Sequence, residues 1–247
     1  MTDYAAGTPS WVELSTTDAD GSYAFYSALF GWTATEGSED FGGYRTWLDG
    51  DQGVGGLNPM GEHPSWNTYV ATDDADASAE KVGANGGTVI APPMDVGPLG
   101  RMAVFTDPQG AVFGVWQAGE MKGADKVNEP VSCCWNELHV PDREAAKPFY
   151  EAVFGWRSED MDMGDDGYTV FHVGEKPIGG AGGKTDVAHW LVWFSVVDAD
   201  ASAAKAQELG AKNLMGPFDV PTVGRLAVFD DPQGARFGIL QGETPDE

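Results

Sequence analysis

Two cysteines are the whole complement of this 247-residue chain, and they are neighbours, Cys133 and Cys134. Adjacent cysteines rarely bridge each other, so no disulfide framework can be built. Positive charge is equally scarce. Lys and Arg number 14 against 39 Asp and Glu, giving a formal charge of −25. Such a surface repels phosphate backbones and anionic headgroups, which argues against nucleic acid and membranes as partners and favours cationic ligands. No apolar run approaches the roughly 20 residues that span a bilayer. The opening MTDYAAGTPSW lacks the basic and apolar stretches of a secretory signal, so a cytoplasmic location is expected. Phosphate-cradling glycine loops and a Gly-x-Ser-x-Gly elbow are missing too, and neither cysteine has an obvious base. Nucleophilic hydrolysis is therefore unsupported.

What is present is a core and a repeat. Hydrophobic residues make up 42 % and aromatics 11 %, enough for a packed interior and too many for disorder. Sliding the chain against itself by 124 positions aligns Trp11 to Gly119 with Trp135 to Glu243 without a gap. About 40 of roughly 110 pairs are identical, which marks a duplication. Trp11-Val-Glu13-Leu14 meets Trp135-Asn-Glu137-Leu138, and Phe25-Tyr26 with Phe30-Gly31-Trp32 meets Phe149-Tyr150 with Phe154-Gly155-Trp156. Asp74 to Ala79 recurs as Asp198 to Ala203, and Asp107-Pro-Gln-Gly-Ala111 as Asp231-Pro-Gln-Gly-Ala235. Polar MKGADKVNEP lies between the copies. The expected division is a first domain over 9–120, a linker over 121–130 and a second domain over 131–243.

Each copy has an inner rhythm. A strand near Val12–Ser15 leads through Thr17-Asp18, good helix-capping chemistry, into a helix over about 18–29 that Gly31 stops. Strands follow near Thr46–Leu48 and Val54–Leu57. The order then restarts with a strand at Thr68–Thr72, a cap at Asp73 or Asp74 and a second helix. The pattern is β-α-β-β(-β), written four times along the chain.

These words, in this order, resemble the vicinal oxygen chelate superfamily, which includes glyoxalases, bleomycin-resistance proteins and ring-cleaving dioxygenases. The resemblance rests on Asp-x(6)-Phe-Tyr-x(3)-Phe-Gly-Trp (Asp18 to Trp32; Asp142 to Trp156) and on Asp-Pro-Gln-Gly-Ala-x-Phe-Gly (Asp107 to Gly114; Asp231 to Gly238). The tandem form with Trp-x-Glu-Leu openings is similar to a two-domain actinobacterial group described as glyoxalase-like or hydroxylase-like. The resemblance implies an α+β fold, a tandem pair of glyoxalase-like domains, each two βαβββ modules forming a curled, incomplete β-barrel around a cavity. It also implies a monomer in which the two domains pair as two subunits of a single-domain relative would.

Metal-dependent members hold a divalent ion with four inward His, Glu or Gln side chains. Carried over one at a time, those positions fall on Trp11 or Trp135, near Asn67 or Leu191, on Gly114 or Gly238, and among Gly55–Leu57 or Gly179–Ala181. Indole offers no lone pair and glycine no side chain. No metal site and no cofactor are therefore expected, with Zn, Ni, Mn or Fe kept as the alternative.

On a strand of period two, Trp135, Glu137 and His139 share a face. With that face turned into the cavity, Glu13 and Glu137 are carboxylates among aromatics, costly unless paired. They are the candidate bases, with His139 beside the second. Trp11, Trp135, Asn67, Tyr69 and Trp193 are candidate ligand-binding walls, and Arg101 and Arg225, recurring at one position, are candidate partners of ligand or carboxylate. Trp32 and Trp156 read as packing. Two functions stay open. One is a metal-free protein binding a planar or cationic small molecule in aromatic cavities. The other is a glyoxalase-like or hydroxylase-like lyase, isomerase or oxygenase using Glu13 or Glu137 as base.

Overall fold

Among the described residues an aspartate starts each of the four α-helices, as the sequence predicts. The computed structural model describes residues 4–162, 167–183 and 185–243. Helix α1 (Ala19–Phe30) is capped by Asp18, which accepts from the Gly21 N–H at 2.9 Å; α3 (Arg143–Phe154) is capped by Asp142 through Ala145 at 3.0 Å. Helices α2 (Ala75–Ala84) and α4 (Ala199–Glu208) take Asp74 and Asp198 in the same role. Each such cap is worth about 1 kcal/mol. Gly31 and Gly155 end α1 and α3 with φ of 79° and 71°, a left-handed turn that favours glycine.

The strands complete βαβββ four times. The first repeat holds β1 (Pro9–Ser15), β2 (Thr33–Ala34), β3 (Arg45–Asp49), β4 (Gln52–Asn58), β5 (Ser65–Ala71), β6 (Thr88–Val96), β7 (Gly100–Thr106) and β8 (Val112–Ala118). The second holds β9 (Cys133–His139), β10 (Arg157–Met161), β11 (Tyr168–Val173), β12 (Lys176–Ala181), β13 (His189–Ser195), β14 (Lys212–Val220), β15 (Gly224–Asp230) and β16 (Arg236–Gly242). Each repeat forms one open, curled eight-stranded sheet. The orders are β2-β3-β4-β1-β5-β8-β7-β6 and β10-β11-β12-β9-β13-β16-β15-β14. The first strand of each module runs parallel to its last, as β1 with β4 and β13 with β16, because a helix carries the chain back across the sheet. This is the tandem α+β architecture that the repeat implied.

By contacts the chain divides into two compact units, and the division cuts each repeat between its modules. One unit comprises residues up to Trp11, Asn67–Gly123 and Trp135–Leu191; the other comprises Val12–Trp66, Ala124–Cys134 and the chain from Val192 on. Each has its own core. In the first, Phe105, Phe113, Phe149, Tyr150, Trp156, Phe171 and Trp190 pack together; in the second, Phe25, Tyr26, Trp32, Trp47, Trp66, Phe194 and Phe237 do. Trp32 and Trp156 are buried, as expected of packing residues, and their indoles donate to the carbonyls of Val131 and Gly7.

The repeated Asp-Pro-Gln-Gly and Phe-Tyr words meet inside these cores. Asp107 Oδ1 closes its own turn by accepting from the N–H groups of Gln109 and Ala111, both at 2.9 Å. Its Oδ2 accepts from Tyr150 Oη at 3.1 Å, and that hydroxyl accepts from Trp190 Nε1. Asp231, Tyr26 and Trp66 repeat the chain in the second unit. Burial raises both carboxyl pKa values and pushes both phenols well up, so each tyrosine stays a hydrogen-bond donor near neutrality.

Candidate functional site

The opening strand of the second repeat sorts its side chains by alternation. Asn136 and Leu138 face inward, Asn136 accepting from Thr68 Oγ1 at 2.7 Å, while Trp135, Glu137 and His139 lie on the opposite, partly exposed face. The shared face predicted from period two is therefore present. Tyr168, at the start of β11, joins them. Trp135 Nε1 donates to Tyr168 Oη at 2.8 Å, and Tyr168 Oη donates to Glu137 Oε2 at 3.3 Å. On the other side, Glu137 Oε1 lies 2.7 Å from His139 Nε2, and the His139 ring stacks on His189 with centroids 5.0 Å apart. The carboxylate is thus flanked on both oxygens, which answers the cost of setting it among aromatics. Burial, reinforced by the Glu137 charge, pushes the Tyr168 phenol up, so it stays a hydrogen-bond donor at physiological pH.

Glycines make this arrangement possible. Gly180 stands opposite Glu137 in the parallel register of β12 with β9, and a Cβ there would come within 2.3 Å of Tyr168 Oη. A Cβ on Gly182 would lie 2.7 Å from the Tyr168 ring. Bare backbone on that strand is what lets the phenol lie down towards the carboxylate.

The other predicted positions fall elsewhere. Glu13 is 7 % exposed and its Oε1 accepts from Asn58 Nδ2 at 3.2 Å. Trp11 is buried on β1. Asn67 and Tyr69 lie on β5, with the Tyr69 ring over Gly114, its register partner on β8; Trp193 covers Gly238 in the same way. Arg101 is taken up at the surface by Asp76 and Asp95, and Arg225 by Asp200 and Asp219. Both arginines stitch a strand to the acidic first turn of a helix, and neither reaches a glutamate.

The positions that hold metal in relatives do not fit an ion here. Gly114 and Gly238 have no donor, and a Cβ on either would lie 2.2 Å from the overlying aromatic ring. Trp135 is spent donating its only polar hydrogen to Tyr168. Among the described residues no three His, Cys, Asp or Glu side chains converge as ligands. His139 and His189 do not supply a substitute. Rings stacked at 16° project their in-plane lone pairs side by side and not towards one point.

Tyr168 and His189 were not singled out from sequence. Tyr168 had a signal, since the 124-residue offset pairs it with Tyr44, but it stands 31 residues from Glu137 and only the sheet brings them together.

Two curled sheets of paired βαβββ modules define the class, and the family follows. The chain belongs to the Glyoxalase/Bleomycin resistance protein/Dioxygenase superfamily, whose sequence model matches residues 8–115 and 134–239. It is 41 % identical over 251 residues, 97 % of this chain and 96 % of the other, to a Mycobacterium tuberculosis protein, CFP32, named provisionally as a glyoxylase. It is 40 % identical over 263 residues, 98 % and 95 % of the two chains, to the anthracycline biosynthesis protein DnrV of Streptomyces peucetius. Among solved structures, the Mn(II)-bound glyoxalase from Novosphingobium aromaticivorans superposes with a TM-score of 0.68 at 18 % identity, over 98 % of this chain and 86 % of that one. The 2,3-dioxygenase LapB from Pseudomonas sp. KL28 gives 0.68 at 14 % identity, over 100 % and 96 %. At these identities the structures speak for the fold alone.

Proposed function

We propose that this chain is a small-molecule-binding protein of the glyoxalase/bleomycin-resistance type, working without the superfamily metal, and that its ligand meets the face made by Trp135, Glu137, His139 and Tyr168. The observation that carries the reading is the pairing of a flanked, partly exposed carboxylate with aromatic walls. A planar compound finds flat apolar contact there and hydrogen-bonding groups at one edge. The charge of −25 favours a cationic ligand over an anionic one. The two anthracycline-biosynthesis relatives at 40 % identity fit a fused-ring aromatic compound. The protein acts in the cytoplasm as a monomer, the two repeats standing for two subunits. No helix among the described residues is long and apolar enough to cross a membrane.

The test is metal content together with thermal shift on chelator-free protein. Less than about 0.1 ion per chain, with no rise in Tm on adding Mn, Zn, Ni or Fe(II), supports the reading, because an ion bound to the folded state alone must raise Tm. Stoichiometric metal sinks it.

One observation favours an enzyme instead: a carboxylate, Glu137, lies 2.7 Å from an imidazole, His139, and these are the two groups that acid–base catalysis most often uses. On that reading Glu137→Gln abolishes turnover of a glyoxalase-like or hydroxylase-like substrate, and unchanged turnover removes Glu137 as the base.

A further inference from the structure

The two ring nitrogens of His139 have different surroundings. Nε2 is buried beside Glu137 Oε1; the contact is short but lies off the axis of the N–H, and Nε2 meets no other acceptor among the described residues. The torsion that would bring it into line is the broad terminal one of an imidazole. Nδ1 points the other way, at Gly183, where a Cβ would sit 2.6 Å from it. Glycine at that position, with φ of 61°, brings no side chain against the nitrogen. The His139 ring stacks on His189, whose own Nδ1 is turned to the Val187 carbonyl. Glu137 is meanwhile held on its second oxygen by Tyr168 and, behind it, Trp135.

We propose that Glu137 and His139 form an oriented dyad in which Glu137 holds the imidazole as the Nε2–H tautomer and His139 Nδ1 takes the proton of a weakly acidic hydroxyl, a phenol or an enol, on a planar ligand. The inference rests on the small-molecule reading above and names the group that the ligand must carry. The ligand's O–H bond yields its proton to the Nδ1 lone pair, leaving a phenolate or enolate beside an imidazolium that Glu137 stabilises; no oxidant or further reactant is needed. His139 touches the ligand, and Glu137 is a positioning residue. The first repeat has no counterpart, since Ser15 and Pro59 occupy the positions of His139 and Gly183.

The experiment uses the full chain, ¹⁵N-labelled, with 4-methylumbelliferone and its methyl ether as probes. Imidazole ¹⁵N shifts at about pH 8 should report His139 as the Nε2–H tautomer, and Glu137→Gln should lose that preference. At about pH 6.5, where the free dye is mostly neutral, the hydroxyl dye should bind about tenfold tighter than the ether and show the phenolate absorbance. His139→Gln should erase the tenfold preference and the phenolate band, so that the hydroxyl dye and its ether bind with one common affinity. Glu137→Gln should weaken the band and narrow the hydroxyl dye's preference over the ether, whereas a general loss of structure would weaken both dyes alike and leave the preference intact. An Nδ1–H tautomer in the wild type, or a hydroxyl preference that survives His139→Gln, overturns the dyad. Binding of neither dye overturns the phenol and the planar-ligand reading beneath it, and the tautomer then decides the dyad by itself.

Discussion

The glutamates of the two Trp-x-Glu-Leu words occupy equivalent places and lead different lives. Glu13 is buried and leans on Asn58, whereas Glu137 is partly exposed and is clasped by Tyr168 and His139. Two substitutions account for the change. Asn58 becomes Gly182, which withdraws the amide partner and leaves room for the Tyr168 ring; Ser15 becomes His139, which supplies a new partner from the strand itself. A duplicated scaffold has thus kept one carboxylate as an internal hydrogen-bonding group and opened the other. The Asp–Tyr–Trp relays, by contrast, have equivalent partners in both units.

The likeness is the costliest feature to break. Asp107→Ala and Asp231→Ala each leave a buried tyrosine hydroxyl unpaired, with two turn N–H groups at Asp107 and three at Asp231, and urea unfolding should show a loss of about 3 kcal/mol in either case. Unequal losses would mean that the two relays are not equivalent. Asn58→Ala strips the buried Glu13 of a donor and should cost about 2 kcal/mol by the same measurement. His139→Ser, which restores the first repeat's residue at the exposed carboxylate, should cost less than about 1 kcal/mol. Equal effects would abolish the distinction between the two glutamates.

Gly182→Asn transplants the first repeat's residue into the second. It forces a side chain against Tyr168, so we expect about 1–2 kcal/mol of destabilisation and loss of ligand binding; binding at full affinity would remove Tyr168 from the site. The pH dependence sharpens the picture of the relays. Because burial raises the folded-state carboxyl pKa of Asp107, its contribution is fully present below the ordinary value of about 4 and is lost as pH rises through the folded value. The stability gap between wild type and Asp107→Asn should therefore narrow from about pH 4 to pH 7 in denaturant titrations, and a widening gap would reverse the sign. The smallest effect belongs to Arg101→Ala and Arg225→Ala. Their ion pairs are exposed, so Tm and ligand affinity should hold within error in both repeats.

Much of this protein was legible in its residues alone. The duplication, the aspartate caps, the glycine stops and the βαβββ rhythm are local signals, written within a helix turn or a strand, and the structure places them where the periods put them. The common face of Trp135, Glu137 and His139 is of the same kind, since period two decides it before any tertiary contact forms. The poor metal chemistry of Trp135, Gly114 and Gly238 was likewise a matter of residue type. What the chain could not declare is which residues far apart in sequence would meet. Arg101 and Arg225 were as plausible beside a glutamate as beside the aspartates 25 residues back, and only the packing of helix on strand chose the aspartates. Tyr168 reaches Glu137 because sheet register sets Gly180 opposite that carboxylate and leaves the space empty. Local periodicity decides which way a side chain points; long-range register decides what it finds there.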